Sequence, residues 1–298
     1  MADMRRAFTW RLRTRALELG RRTLVMGVLN VTPDSFSDAG AHFSTKPAIE
    51  HGLRLLEEGA DILDIGGEST RPGTKAKERV TEAEELRRVM PVIEGVLKAK
   101  PEAVISVDTY KASVARTACE AGAEIANDVS AGQWDAQMLA TMAELKCGAV
   151  LMHMRGTPEE WRTLPRLGGD ELLALVQREL KSAADAAIGA GVARERIVLD
   201  PGFGFGKNFE ENYPLLGRMG ELGKLGFPLL AGTSRKGFIG RALAKDGKDA
   251  PVNERLYGTL ATVAMAITQG AHVVRVHDVR EVAETVRIVD EVIGSLAH

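Results

Sequence analysis

Eight short apolar runs recur along the chain, each followed by a polar or glycine-rich turn and then a helical pattern. The runs are LVMGVL (24–29), DILDIG (61–66), AVISV (103–107), AEIAN (123–127), GAVLM (148–152), RIVLD (196–200), PLLAG (228–232) and AHVVRV (271–276). Near-continuous apolar strands of this kind belong to a parallel sheet covered on its faces. Between them, Thr81 and Glu84 predict a capping box ahead of Leu86, Val89 and Ile93, and Pro91 predicts a kink or a new start in that helix. Leu172, Val176 and Leu180 mark one face of a helix near 170–189. Asn253 is the expected N-cap for Leu256, Leu260, Val263 and Ile267, with Gly270 as the stop. Asp278 precedes Val282, Val286 and Val289, and Gly294 follows them. Eight strand–helix alternations in 298 residues are what a closed barrel requires, a fold of roughly 250 residues before insertions. An open doubly wound sheet usually has fewer strands and a Gly-rich first turn; the first turn here is NVTPDSFSD. The expectation is an α/β chain, a TIM (β/α)₈ barrel over residues 24–298.

Residues 1–23 break that pattern. Trp10, Leu12 and the arginines between them alternate with period two, which predicts an N-terminal β-hairpin closing the bottom of the barrel. The arginine cluster there (Arg5, Arg6, Arg11, Arg13, Arg15, Arg21, Arg22) reads as a solvated edge. No apolar run of signal-peptide length follows it, and no apolar stretch is long enough for a bilayer. A net charge of −2 gives no pull toward nucleic acid. Cys119 and Cys147 have no metal-ligand spacing and are expected to pack as small buried residues in a reducing, cytoplasmic setting.

Barrel active sites sit at the C-terminal ends of the strands, where the βα loops converge. The first run leads into Asn30, Thr32, Pro33, Asp34, Ser35 and Phe36. The second contains Asp64 and leads into Gly66 to Gly73. The others end in Asp108-Thr109, Asn127-Asp128, His153, Asp200-Pro201-Gly202, Gly232 to Lys236, and Arg275 to His277. Any one Asp or Asn there reads equally as an N-cap, and His153 alone as a satisfied core histidine. The set does not: eight strands ending in polar groups around one opening need a use for them. Asp64, Asp108, Asn127, Asp200 and Lys236 mix donors and acceptors, which suits a flat nitrogen-rich heterocycle. Arg275, His277 and Asn30, on neighbouring strands, suit a phosphate or diphosphate. Residues 233–236 open a helix whose free N–H groups are expected to take a second anion. His153 has no clear part in this set. Gly202 to Lys207 (GFGFGK) looks like a phosphate loop, but Pro201 and Asn208 break the Walker spacing and Lys207 breaks G-x-G-x-x-G.

With these motifs in view, the chain from about Leu24 onward resembles the dihydropteroate synthase family. Asn30 to Asp38 (NVTPDSFSD) resembles the family's first loop, and Gly66 to Gly73 (GGESTRPG) its second. Asp108, Asn127, Asp200 to Lys207, Ser234 to Lys236 and Arg275 to His277 resemble its remaining ligand positions. Ala39 departs from the more usual Gly after the first loop's Asp. The resemblance implies transfer of a pterinylmethyl group from its diphosphate to 4-aminobenzoate, in folate biosynthesis. It implies Asp64, Asp108, Asn127, Asp200, Lys236 and Phe205 around the pterin, and Asn30, Arg275 and His277 around the diphosphate, with Asn30 a Mg²⁺ ligand. It implies Thr70, Arg71, Pro72, Phe36, Phe205 and Ser234 around the aminobenzoate, and Asp34, Arg71 and Lys236 as the catalytic groups. It implies small-molecule partners and a homodimer, whose interface would draw on the apolar helices near 253–269 and 278–293. Two alternatives share the heterocycle contacts. One is a pterin-binding methyltransferase barrel acting on a corrinoid; the other is a pterin-binding paralogue without turnover.

Overall fold

The structure is a computed structural model that describes residues 5–32, 45–68, 80–161 and 163–296. A short antiparallel hairpin, β1 (Phe8–Arg11) and β2 (Ala16–Leu19), precedes eight parallel strands. These are β3 (Leu24–Asn30), β4 (Ile62–Gly66), β5 (Ile105–Asp108), β6 (Ile125–Asp128), β7 (Gly148–Met152), β8 (Ile197–Asp200), β9 (Leu230–Ala231) and β10 (Val273–Val276). Each pairs with its neighbour in chain order from β3 to β8, and β10 lies between β9 and β3. A parallel bridge between Leu199 and Leu229, one residue ahead of β9, joins β8 to β9 and closes the ring. The (β/α)₈ barrel read from the eight apolar runs is therefore the fold.

Helices cover the outside: α1 (Thr45–Glu57), α2 (Glu82–Ala99), α3 (Ala112–Glu120), α4 (Met138–Leu145), α5 (Gly169–Gly189), α6 (Asn212–Gly217), α7 (Gly237–Ala242), α8 (Leu256–Thr268) and α9 (Val279–Ser295). Several sequence expectations shift in detail. Thr81 caps α2 by accepting from the Glu84 N–H at 3.3 Å, but the Glu84 carboxylate turns to Arg87 and Arg88 instead of back to the cap. Pro91 does not reset α2, which runs through it. The N-cap of α8 is Arg255, because Asn253 lies in a short 3₁₀ turn just before it. Asp278 does precede α9, yet its carboxylate makes no cap bond because it holds Arg235. Gly294 lies within α9 and does not end it.

Strand side chains alternate faces, and the barrel uses both. Val25, Leu29, Ile65, Val107 and Leu199 face outward and pack against helix residues such as Leu55, Val92, Val96 and Val282. Met26, Ile62, Val104, Ile125, Val150, Val198, Leu230 and Val273 face inward and form an apolar plug. Trp10, Leu12 and Leu19 of the hairpin segment complete that plug from below, and the Trp10 indole donates to the Arg196 carbonyl at 2.8 Å. The hairpin thus closes the N-terminal end of the barrel, as its alternation predicts.

Candidate active site

One two-residue step up each strand from the apolar plug brings the next inward position. From Ile62 it reaches Asp64, from Ile125 Asn127, from Val198 Asp200, from Leu230 Gly232 and from Val273 Arg275. Two steps from Val104 reach Asp108. The barrel interior therefore changes from hydrocarbon to a layer of charged and amide groups within one turn of the pleat. Asp64, Asp108, Asn127 and Asp200 are all buried. Burial of this kind costs free energy unless the groups are paired.

The pairing is specific. Arg275 Nε donates to Asp64 Oδ2 and Arg275 Nη2 to Asp108 Oδ2, each at 2.5 Å. Asn127 Nδ2 donates to the same Asp64 oxygen at 3.0 Å. The other oxygen, Asp64 Oδ1, is buried and has no hydrogen-bond partner among the described residues. An unpartnered carboxylate oxygen on the floor of a pocket is an acceptor for an N–H donor. Burial pushes the Asp108 carboxyl up to about 7, with Arg275 opposing and Asp64 adding to the rise. Burial also raises Asp200, against the pull of the Gly202 N–H that its carboxylate accepts at 2.7 Å.

Lys236 leads into α7 and enters the same space. Its ammonium stands 4.1 Å from the centroid of the Phe205 ring, a cation–π contact. Burial and Arg275 pull Lys236 down to about 8, while Asp200 and Asp108 hold it up. Phe205 is in turn edge-on to Trp161, with centroids 5.6 Å apart. The turn that aims Lys236 contains Arg235 at φ +58°, a left-handed conformation that costs a non-glycine residue of order 1 kcal/mol. Three contacts hold it: the Arg235–Asp278 ion pair, the Arg235 N–H to Thr259 Oγ1 at 3.0 Å, and the Arg255 guanidinium on the Arg235 carbonyl at 2.9 Å. Two of the N–H groups expected to be free in the 233–236 turn are therefore taken. Arg235 gives its N–H to Thr259, Lys236 gives its own to the Thr233 carbonyl, and the helix begins at Gly237.

The rim groups lie on three adjacent strands. Asn30 ends β3, His277 follows β10 and Ser234 follows β9. Ser234 Oγ lies 3.1 Å from His277 Nδ1 and accepts the His277 backbone N–H at 3.2 Å. Burial and the cations Arg275, Arg235 and Lys236 push His277 down to about 3, so its imidazole is neutral at pH 7.

The structure thus brings Asp64, Asp108, Asn127, Asp200, Lys236, Phe205 and Arg275 to one pocket, with Asn30, Ser234 and His277 at its edge. Arg275 sits deeper than a rim position, because its guanidinium spans the two buried carboxylates. Asp34, Phe36, Thr70, Arg71 and Pro72 lie outside the described residues. Asp128 serves its own turn, accepting from Ser130 and Gly132. The sequence reading missed Trp161, whose only signal was an aromatic in the turn after β7. It named Lys207 only as the end of the 200–207 stretch that resembles the family's ligand positions, with no role of its own.

A parallel barrel with this layer of carboxylates, amide and cations above an apolar plug defines a class: enzymes that hold a pterin at the C-terminal end of a (β/α)₈ barrel. The chain belongs to the pterin binding enzyme family, whose model matches residues 26–277. Its relatives there include dihydropteroate synthases. That of Synechocystis sp. is 45% identical, over 91% of this chain and 90% of its own. A solved dihydropteroate synthase from Xanthomonas albilineans with 4-aminobenzoic acid superimposes with a TM-score of 0.86 at 42% identity, covering 97% of this chain and 99% of that one. Another structure from the same organism, in complex with 7,8-dihydropteroate, gives 0.82 at 40% identity, with 96% and 98% covered.

Proposed function

We propose that this chain joins (7,8-dihydropterin-6-yl)methyl diphosphate to 4-aminobenzoate, giving 7,8-dihydropteroate and diphosphate. The observation that carries the reading is the buried layer of Asp64, Asp108, Asn127 and Asp200, with Asp64 Oδ1 unpartnered. An aminopyrimidine edge supplies the N–H donors such a layer lacks, and Asn127 offers both a donor and an acceptor. Lys236 meets the ring's oxygen and acceptor nitrogens, and Arg275, assigned to the diphosphate by the resemblance, stands beside it on the two carboxylates. Phe205 lies flat beneath the Lys236 ammonium and serves as an apolar wall between pterin and arylamine.

The reaction breaks the bond between the pterin methylene carbon and the diphosphate oxygen, and the electron pair leaves with diphosphate. The ring nitrogens delocalise the positive charge that remains. The arylamine lone pair then forms the C–N bond, and its proton passes to diphosphate or water. An arylamine is neutral at pH 7, so a strong base is not required. Asn30 and His277 stand on adjacent strands where the diphosphate would lie, and the His277 ring can donate a hydrogen bond to it. Among the described residues no group of three His, Cys, Asp or Glu side chains is gathered for a metal. The Asn30 amide oxygen at this edge fits Mg²⁺, which keeps most of its waters and takes substrate oxygens. Bound there, the ion would offset charge on the departing diphosphate. The family resemblance assigns Arg71, Phe36, Thr70, Pro72 and Ser234 to the arylamine side, and Asp34, with Arg71 and Lys236, to the catalytic groups.

The partners are small molecules and a second copy of the chain. The exposed apolar side chains Tyr257 and Met265 on α8, and Ile288, Val292 and Leu296 on and just beyond α9, supply the surface assigned to that copy. No described helix is long and apolar enough to cross a membrane. We place the chain in the cytoplasm, in keeping with its two buried free cysteines.

Mixing the protein with pterin diphosphate, 4-aminobenzoate and Mg²⁺ tests the reaction. Release of diphosphate that depends on the arylamine is the expected result. Pterin binding without release would point to the paralogue, and methyl transfer from a folate to a corrinoid would point to the methyltransferase.

A further inference from the structure

His153 and Lys207 have no part in the reaction as written, yet they form the best-satisfied polar cluster beneath the pocket. Lys207 is 6% exposed. Its ammonium donates to the carbonyls of Gly202 at 2.8 Å, Phe205 at 3.1 Å and His153 at 3.2 Å, and it lies 2.8 Å from His153 Nδ1. Burial lowers Lys207 to about 7, with Asp200, Glu179 and Glu211 holding it up, and in the charged form four acceptors surround its three protons, so this nitrogen has no capacity left for a phosphate. On the far side of the ring, His153 Nε2 lies 3.0 Å from the Glu179 carboxylate on α5. The arrangement fixes the tautomer: Nε2 carries the proton toward Glu179, and Nδ1 accepts from Lys207. Burial and Lys207 push His153 down to about 4, which keeps the ring neutral and able to accept.

The two carbonyls on the loop side belong to the turn that follows Asp200. This turn presses against the backbone after β7. Gly202 and Gly206 take φ of +66° and +67°, and a Cβ on either would come within about 2 Å of the carbonyl oxygen of His153 or Arg155. Gly202 bonds back to Asp200 through its N–H, and Phe205 is the pocket wall beneath Lys236. The turn has no regular secondary structure of its own, and the ammonium bonds it at both ends.

We propose that Lys207 is a positioning residue of the pterin pocket: held by the Glu179–His153 pair, its ammonium locks the 200–206 turn so that Asp200 and Phe205 face the bound heterocycle. This rests on the pterin reading above. It accounts for a lysine that the glycine-rich spacing offers as a phosphate ligand, and for a histidine at a strand end where no substrate contact is assigned. It also makes Glu179, 44% exposed on the outer helix, an indirect contributor to substrate affinity.

Lys207→Met and Glu179→Ala test it against wild type, by steady-state kinetics and by amide exchange at Gly202, Gly204 and Phe205. Replacing the ammonium leaves buried carbonyls without their donor, so KM for pterin diphosphate is expected to rise about tenfold or more in Lys207→Met. In Glu179→Ala a rise of about threefold is expected, since only the second link of the chain is lost. Faster exchange at the three amides should accompany both, while the melting temperature of Glu179→Ala stays at the wild-type value. A wild-type pterin KM with wild-type exchange in folded Lys207→Met overturns the proposal. Should Lys207→Met not fold, the same wild-type result in Glu179→Ala overturns it. Absence of turnover in the wild-type protein would sink the reaction instead, and the exchange comparison does not depend on turnover.

Discussion

Arg275 on β10 reaches across the barrel mouth to Asp108 on β5 and holds it at 2.5 Å, while its Nε holds Asp64 at the same distance. One guanidinium thus serves two buried carboxylates, and the trio carries an excess negative charge when both are ionised. This explains why Asp108 stays proton-prone beside an arginine: burial and Asp64 outweigh the pairing. Asp108→Ala is expected to abolish turnover. Asp108→Asn keeps an acceptor for Arg275, so it should fold and lose kcat/KM by roughly a hundredfold. Arg275→Met removes the guanidinium that both carboxylates bond and should cost on the order of 3 kcal/mol in a denaturant titration. A stable Arg275→Met protein would show that the two carboxylates are not held by this residue.

Lys236 offers a pH signature in two measurements of opposite sign. Its folded pKa is pushed down to about 8, below the usual lysine value. Between about 8 and the unfolded value near 10.4 the unfolded chain binds the extra proton, so stability from this group rises with pH across that window. Substrate binding, which uses the charged form, should weaken over the same range, with KM for the pterin rising above pH 8. Lys236→Arg should remove both inflections, and Lys236→Ala should abolish turnover. A pterin KM flat from pH 7 to pH 10 would remove Lys236 from the pocket's working charge.

Much of the fold was legible in the residues, and the reason is local. Runs such as GAVLM carry their strand in their own composition, and β7 spans the same five residues, Gly148–Met152. The run PLLAG shrinks to the two residues of β9, with Leu229 just ahead joined to β8 only by its bridge to Leu199. The site was legible only as a list of strand ends. Asp64, Asp108 and Arg275 were all visible, but no spacing says that Arg275 pairs with a residue 167 positions away. Strands buried on both faces also hide the alternation that puts Asp64 inward and Ile65 outward. Lys207 went without a role through a related gap: a glycine-rich turn displays its lysine in the sequence, but only packing shows whether the side chain points outward or back into its own carbonyls.

The exposed apolar side chains of α8 and α9 give a prediction about assembly. Tyr257 is 81% exposed and Ile288 69%. A charge placed between two copies would be desolvated without a partner, so Ile288→Glu should convert a dimer to a monomer in light scattering. The site residues named above lie on one chain, and activity of the monomer at saturating substrate is expected to persist. A wild-type protein that is monomeric at tens of micromolar would remove this face as the interface.

Three buried histidines add an acid-sensitive part to stability. His277 is pushed down to about 3, and His153 and His272 to about 4. His272 lies at the base of the barrel, far from substrate. Its Nδ1 accepts the Leu229 N–H at 3.1 Å, and its Nε2 stands 2.9 Å from the Arg6 carbonyl, tying the segment before β1 to β10. That geometry requires the neutral ring, because Nδ1 must keep its lone pair. In each case the folded pKa lies below the unfolded value near 6.5, so the unfolded chain gains protons first as pH falls. The histidine contribution to stability should therefore decline from about pH 6.5 down to about pH 4, on the order of 3 kcal/mol from His272 alone, while Asp108, whose folded pKa is raised, contributes with the opposite sign over the same window. His272→Gln keeps a donor for the Arg6 carbonyl and cannot ionise, so it should be less stable than wild type at pH 7 and lose less on acidification. Chemical denaturation at pH 7, 5.5 and 4.5 measures the difference. Parallel lines for the two proteins would mean that His272 does not carry this part of the acid sensitivity.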